Sequence, residues 1–197
     1  KNNYYCGTKY EIGCFSLSFT KLINMIYGGF CSTNSTFLYN RLLAIRNNGV
    51  NALPENAKME IAKTNGFNFK PSNLHATIGL VNLKYVKKNI AKIINIYNCY
   101  KKELKNHKKI KLLENYDDNA KPLYILVFAK NKNNFLKYCA DNDIGVHYAL
   151  RTISETNLIK SFKELPNSKF FSKNLIRLPC GPGYNLNEIR KIAKILR

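Results

Sequence analysis

The stretch GCFSLSFTK, residues 13–21, reads as a buried strand that ends in a lysine. A glycine pair, Gly28-Gly29, follows it and opens a second short strand. A lysine beside an apolar strand is costly to desolvate unless its amine has a task. One such task is a Schiff base, which needs a neutral amine, and burial favours that form. The pattern therefore marks Lys21 as a candidate nucleophile; the alternative is a surface lysine at a strand end.

Hydrophobic periodicity predicts strands and one helix around this stretch. The strands are expected at 12–19 and 30–32, and the helix at 35–45. An Asn-Gly pair then ends the helix, as such pairs commonly do. Residues 50–65 are expected to form a connecting loop.

The rest of the chain is predicted to be helical first and then mixed. Helices are expected at 72–83 and 84–105, the second with an apolar stripe at alternating spacings of three and four residues. A small α+β unit follows, with its elements at strands 122–129, 144–148 and 175–178 and at helices 133–142 and from Asn185 onward. Glu188, three residues after Asn185, completes a capping box.

The composition indicates a globular chain with a strong positive charge. Its 197 residues suit one domain or at most two small ones, and the net charge is +20. Such a charge is typical of nucleic-acid-binding proteins. The lysines, however, are spread along the whole chain and arginines are few, which argues against a dedicated nucleic-acid site. A positive field would still attract anionic substrates.

Cysteine usage points to a reducing compartment. The six cysteines form no C-x-x-C pair, and the three histidines are scattered, so no metal site is expected. Most of the cysteines lie in apolar segments, where they act as small core residues. No apolar run reaches membrane-spanning length, and no signal peptide is recognised. We therefore expect a cytoplasmic protein with no membrane partner.

Four further segments carry a resemblance to a known family. They are AIRNNG at 44–49, GFNFKPSNLHATIGL at 66–80, GVHY at 145–148 and LPCGPG at 178–183. Together with the lysine stretch and the glycine pair, they resemble, in order, motifs of the DegT/DnrJ/EryC1/StrS family of pyridoxal-phosphate sugar aminotransferases. The resemblance covers nearly the whole chain, but only the C-terminal half or so of a full-length member.

The resemblance implies an α/β fold in two parts. Residues 1–83 would be the C-terminal portion of the cofactor-binding large domain of a fold-type I aminotransferase. Residues 84–197 would be the small C-terminal α+β domain with its connecting helix. The cofactor implied is pyridoxal phosphate, which acts as an electron sink while the protein positions it.

The resemblance also implies roles for five side chains. Lys21 would hold the cofactor and shuttle a proton, and Ser16 would bind the cofactor phosphate. Asn68 would reach across a homodimer interface to the neighbour's phosphate. His147 and Tyr148 would contact the substrate. The alternatives are a strand serine bonded to its own backbone, a turn asparagine and a satisfied core histidine.

Some family features are altered or absent. Asn48 stands where the family has histidine, and Lys70 stands where it has arginine, which loses a bidentate fork. The family's acid for the pyridine nitrogen, its ring-stacking aromatic residue and its first phosphate-binding turn all precede the matched part. Glu11 does not match the position of that acid. We therefore expect the chain alone to be a poor catalyst.

The expected function is transfer of an amino group from an amino acid, with glutamate as the expected donor, to a nucleotide-linked keto sugar. Activity would require a homodimer or association with the missing N-terminal half. An inactive remnant or binding module of the same fold is the first alternative. A basic nucleic-acid-binding protein is the second. The identity of the sugar stays open.

Overall fold

A computed structural model of the chain describes residues 5–50, 62, 64–114, 122–148, 151–156 and 165–196. The chain divides into two compact units, residues 1–86 and residues 87–197, called here the first unit and the second unit. Among the described residues, no helix combines the length and the apolar character needed to cross a bilayer.

The first unit begins with an antiparallel hairpin. Its strands are β1 (Gly13–Ser16) and β2 (Gly29–Ser32). The pairing continues toward the loop, since the amides of Leu17 and Phe19 each donate across the hairpin at 2.9 Å. The expectation of a buried strand was wrong, because only the glycine at the start of β1 is buried. The strand that periodicity predicts is therefore present, but much of its apolar surface faces outward.

Helix α1 (Thr36–Arg46) follows the hairpin. Its start is capped by Ser35, whose hydroxyl accepts a hydrogen bond from the amide of Leu38 at 3.3 Å. Asn48 and Gly49 adopt φ values of 59° and 84°, the left-handed conformation that ends many helices. The predicted helix and its Asn-Gly end are thus confirmed.

Helix α2 (Asn73–Glu103) is a single helix, where two were predicted. No glycine or proline stands at the expected break between residues 83 and 84, and the helical hydrogen bonding continues through it. The loop expected at 50–65 lies largely outside the described residues.

The second unit is an antiparallel sheet covered by helices. Its strands pair in the order β3-β4-β6-β5. Their bounds are Ile110–Leu112 for β3, Ile125–Ala129 for β4, His147–Tyr148 for β5 and Leu175–Leu178 for β6. The helices are α3 (Lys132–Asp141), α4 (Pro166–Asn174) and α5 (Leu186–Ile195). A short 3-10 helix spans Ile153–Glu155.

The core of the second unit lies between the sheet and the helices that cover it. Its fully buried larger side chains are Tyr100, Ile96, Ile125, Ile176, Ile189, Val127 and Cys139. The Tyr100 hydroxyl donates to the carbonyl of Pro179 at 3.1 Å, so its burial leaves no unpaired group. The predicted capping box of α5 is confirmed, with both the Asn185 and the Glu188 hydrogen bonds in place.

Strand β3, helix α4 and the short 3-10 helix of the second unit were not predicted. Strand β3 has three residues, and its alternation is too short to stand out within a lysine-rich run. Helix α4 begins with Pro166 at its first turn, which is a helix-start signal. Strand β5 is also shorter than the predicted strand 144–148.

Candidate functional site

Ser16 and Lys21 lie at the two ends of one short segment after β1. The amide of Lys21 donates to the Ser18 carbonyl at 2.9 Å. The Ser16 hydroxyl lies 3.1 Å from the Ser18 hydroxyl, to which it donates, and accepts from the Ser18 amide at 3.3 Å. Ser16 is exposed and Lys21 is half-buried. Both predicted residues therefore lie within one short polar segment, linked through Ser18.

The glycine pair closes the other side of the same loop. Gly28 has a φ of 129°, and a Cβ there would approach the Met25 sulfur to 3.1 Å. A Cβ at Gly29 would clash with the backbone carbonyl of Phe15 on the facing strand. The two glycines thus supply positive φ and close backbone approach, as the sequence predicts.

The loop between Lys21 and the glycine pair contains a strained residue. Ile26 has a φ of 70°, although a β-branched side chain strongly disfavours that region. Conformations of this kind cost on the order of 1–3 kcal/mol and persist only where surrounding contacts hold them. The strain therefore lies in the segment that positions the candidate lysine.

Helix α2 holds this loop in place. The Asn82 side-chain amide donates to the carbonyl of Asn24 at 2.9 Å. Gly79 faces Met25, and a Cβ at Gly79 would lie 3.3 Å from the Met25 Cβ. Sequence reasoning missed Asn82, but its signal is an amide among the apolar residues Leu80, Val81 and Leu83.

Asn68 is held by the end of α1. It forms an isolated antiparallel bridge with Asn47, and the amides of Phe67 and Phe69 donate to carbonyls of the last turn of α1 at 2.7 and 3.1 Å. The Phe67 and Phe69 rings stack at 4.9 Å on one side of this segment. Asn68 itself is exposed. Its backbone partners belong to α1 and not to the lysine loop.

In the second unit, His147 and Tyr148 form the edge strand β5, and both are exposed. Arg177 on the neighbouring strand donates through Nε to the Tyr148 carbonyl at 3.2 Å. The Lys132 amine lies 4.9 Å from the centre of the Tyr148 ring and donates to the Ser172 carbonyl at 2.9 Å. Burial lowers the pKa of Lys132 from its ordinary value. His147 is therefore not a core histidine, and Lys132 joins this surface although the sequence did not single it out.

An open cleft of about 630 Å³ adjoins Tyr148. Its charged lining is Lys132, Arg151, Lys169 and Lys173, with Glu155 as the acidic member. Clustered cations of this kind raise the local concentration of anions. The second unit thus places an aromatic ring beside a basic surface.

Curated relatives of the chain are sugar transaminases. The chain is 23% identical over 201 residues to the UDP-4-amino-4,6-dideoxy-N-acetyl-beta-L-altrosamine transaminase of Campylobacter jejuni subsp. jejuni serotype O:2. That alignment covers 96% of this chain and 52% of the relative. The chain therefore spans about half the length of the curated relatives it matches.

Solved structures show the same fold. Helicobacter pylori PseC, an aminotransferase involved in the biosynthesis of pseudoaminic acid, superposes with a TM-score of 0.89 at 20% identity, covering 100% of this chain and 55% of PseC. Escherichia coli GDP-4-keto-6-deoxy-D-mannose-3-dehydratase, solved with bound hydrated PLP, gives 0.81 at 17% identity, covering 100% of this chain and 57% of the dehydratase.

These likenesses confirm the predicted α/β aminotransferase fold. The model of the DegT/DnrJ/EryC1/StrS aminotransferase family matches residues 2–197, which is nearly the whole sequence. The chain belongs to the DegT/DnrJ/EryC1/StrS aminotransferase family.

Proposed function

We propose that this chain is part of a pyridoxal-phosphate-dependent aminotransferase that moves an amino group from an amino acid to a nucleotide-linked keto sugar. Glutamate is the expected donor. The observation that carries the proposal is the turn that joins Ser16 to Lys21 within the family's fold. The Campylobacter relative, named as a transaminase of a UDP-linked amino sugar, supports the substrate class.

The described residues fit two ends of the cofactor. The Lys21 amine suits its aldehyde, and the exposed Ser16 hydroxyl suits a phosphate oxygen. When bound, the cofactor supplies an electron sink for the substrate's reacting carbon. The pyridine nitrogen finds no matching acid, since Glu11 is the only acidic residue in the described part of the first unit and is exposed. We assign that acid to polypeptide equivalent to the part of the relatives that this chain does not match.

Each side chain then has a distinct task. Lys21 Nζ takes a proton from the substrate carbon and returns it, while the Ser16 hydroxyl turns from Ser18 Oγ and donates to the phosphate instead. Asn68 of a second copy donates its amide to the same phosphate, which makes the enzyme a homodimer. His147 and Tyr148 receive the substrate beside the basic cleft. That cleft suits a nucleotide-linked sugar because such sugars are anionic.

The first unit also needs a covering partner. Its exposed large apolar side chains include Phe19, Tyr27, Phe30, Phe37, Phe67, Phe69, Leu74 and Leu80. So many exposed large apolar side chains in one unit are typical of an interaction surface. We assign it to polypeptide equivalent to the half of the relatives that this chain does not match, which would also supply the missing acid. Residues 1–83 are then the C-terminal portion of the large domain and residues 84–197 the small domain of a cytoplasmic enzyme.

The test is chemical trapping of the cofactor on the chain. The 197-residue chain is incubated with pyridoxal phosphate, reduced with borohydride and mapped by mass spectrometry. We expect one covalent adduct, on Lys21, that is lost in Lys21→Ala and kept in Lys9→Ala, a matched lysine of the first unit. Labelling spread over many lysines, with Lys21 no more modified than Lys9, would overturn cofactor binding by this chain.

An inactive remnant or binding module of the same fold is the second candidate, and the lack of a matching acid among the described residues of the first unit favours it. It predicts the Lys21 adduct but no amino transfer after addition of the N-terminal half of a relative. A nucleic-acid role predicts tight binding to DNA or RNA with a steep salt dependence.

A further inference from the structure

Two exposed thiols face each other across the hairpin of the first unit. Cys14 on β1 and Cys31 on β2 are direct cross-strand partners. Their sulfur atoms lie 3.8 Å apart, and both residues are exposed. The proposed aminotransferase function uses neither of them.

The pairing register suits a bond between these two thiols. The Leu17 amide donates to the Gly28 carbonyl, so that pair is a hydrogen-bonded one. Because the two kinds of pair alternate along an antiparallel ladder, Cys14 and Cys31 form a non-hydrogen-bonded pair, whose Cα atoms lie about 4.5 Å apart. A disulfide accepts Cα separations of roughly 4.4–6.8 Å. Side-chain rotation can therefore bring the two sulfurs together while the strands keep their pairing.

The neighbouring pair fixes this register. Phe15 and Phe30 stack at 4.6 Å with nearly parallel rings, one step along the ladder from the thiols. A slip by one residue would break both the stack and the thiol pair. The thiols are therefore held opposite each other in the folded hairpin, which raises their effective concentration above that in an unfolded chain.

The cysteines of the second unit differ from this pair. Cys139 is fully buried, and burial raises the pKa of its thiol to about 11. Burial also raises the pKa of Cys99 and of Cys180, both of which are half-buried. The pKa of Cys31 is raised as well, by partial burial and by the neighbouring Cys14 thiol, so the two groups of cysteines differ mainly in access to an oxidant. Oxidation is therefore directed to the hairpin, where two exposed thiols face each other.

We propose that Cys14 and Cys31 form a reversible dithiol–disulfide couple that exchanges with low-molecular-weight disulfides such as glutathione disulfide. One cysteine thiolate attacks a sulfur of glutathione disulfide, breaking its S–S bond and releasing one glutathione thiolate. The second cysteine thiolate then attacks the mixed disulfide and releases the other. The two protein thiols lose two electrons, glutathione disulfide gains them, and the two thiol protons pass to the two glutathione products.

The experiment equilibrates the full chain in glutathione redox buffers, alkylates the remaining thiols and maps them by mass spectrometry. We expect the chain to lose the mass of two hydrogens and to leave only Cys14 and Cys31 unalkylated. The midpoint of oxidation is the value of the squared glutathione concentration divided by the glutathione disulfide concentration at which half of the chain is oxidised. This value should be at least about tenfold higher for the folded chain than in concentrated urea, because folding aligns the two thiols.

Matched variants complete the test. Cys14→Ser and Cys31→Ser should each abolish the disulfide, whereas Cys6→Ser, at another exposed cysteine, should leave it intact. Because the replaced thiols are exposed, these variants retain the fold. A disulfide that involves another cysteine, full alkylation of all six thiols, or an equal midpoint in urea would overturn the proposal.

Discussion

The two units are stabilised in different ways. In the second unit, Ile125, Val127, Ile176 and Ile189 are completely buried in one core. In the described part of the first unit, only Met25 and Ala44 are buried apolar residues. Burial of apolar area supplies most folding free energy, at roughly 25 cal/mol per Å². The second unit can therefore stabilise itself, whereas the described part of the first unit depends on local hydrogen bonds and backbone geometry.

In the first unit, the features that determine the conformation of the lysine turn contribute little to stability. The lysine turn is built from a few hydrogen bonds around Ser18 and from glycines placed where side chains would clash. Such features determine a conformation without contributing a large buried area. The candidate catalytic residue thus lies in the unit with less intrinsic support, where a binding partner has most to add.

The largest expected contrast comes from the same truncation in each unit. Leu178 in the second unit is 3% exposed, whereas Leu80 in the first is 62% exposed. Leu178→Ala should lower the free energy of unfolding by about 2–5 kcal/mol because it leaves a cavity. Leu80→Ala should change it by less than about 0.5 kcal/mol. Urea unfolding of both variants measures this, and equal losses would show that the first unit also has a core.

A glycine substitution tests whether backbone geometry holds the hairpin of the first unit. Gly29→Ala should destabilise the folded hairpin by roughly 1–3 kcal/mol, because the new Cβ clashes with the backbone carbonyl of Phe15. Gly183→Ala in the second unit is the control, since a Cβ there meets nothing within 4 Å. Amide hydrogen exchange at Phe15 and Phe30 should accelerate about tenfold or more only in the first variant. Unchanged exchange rates would show that Gly29 is not needed to hold the hairpin.

Removing the hydroxyl group of a buried tyrosine should cost more stability than removing that of an exposed tyrosine. Tyr100→Phe removes the donor to the buried Pro179 carbonyl and should cost about 1 kcal/mol of unfolding free energy. Tyr85→Phe, at a residue 54% exposed in the first unit, should cost less than about 0.5 kcal/mol. Thermal or urea unfolding separates them. If Tyr100→Phe left the free energy of unfolding unchanged, another donor would have to satisfy the Pro179 carbonyl.

A contrast of another kind, in pH dependence, is expected under alkaline conditions. Burial raises the pKa of Cys139 to about 11 from its ordinary value of 9.0. The unfolded chain therefore loses this proton first, and the stability that the neutral thiol contributes is complete below pH 9 and falls as pH rises through about 11. Cys139→Ala should flatten part of that decline in urea unfolding. A decline that is the same with and without Cys139→Ala would contradict this prediction.

Sequence reasoning succeeded where a local signal determines the structure. The Asn185–Glu188 capping box, the Asn-Gly end of α1 and the glycine pair each act through neighbouring residues, so a short stretch suffices to predict them. Ser16 and Lys21 also lie close together in sequence, within one short segment after β1, and their roles at the cofactor stay predictions.

The missed features depend on residues far apart in the chain. Strand β3 exists because three residues pair with β4, and nothing in its lysine-rich surroundings indicates that pairing. Lys132 reaches Tyr148 only after the sheet has formed. Asn82 likewise meets Asn24 across 58 positions of sequence. Hydrophobic periodicity cannot predict such long-range contacts. It also predicted a buried environment for β1 that the described residues do not provide.

The outward-facing aromatic residues of the first unit have a consequence for the behaviour of the chain in solution. A net charge of +20 keeps copies apart by repulsion at low ionic strength. Added salt shortens the screening length to about 10 Å at 0.1 M and weakens that repulsion, while apolar attraction persists. The colloidal stability of this polypeptide should therefore decrease as salt is added, in contrast to proteins that salt disperses.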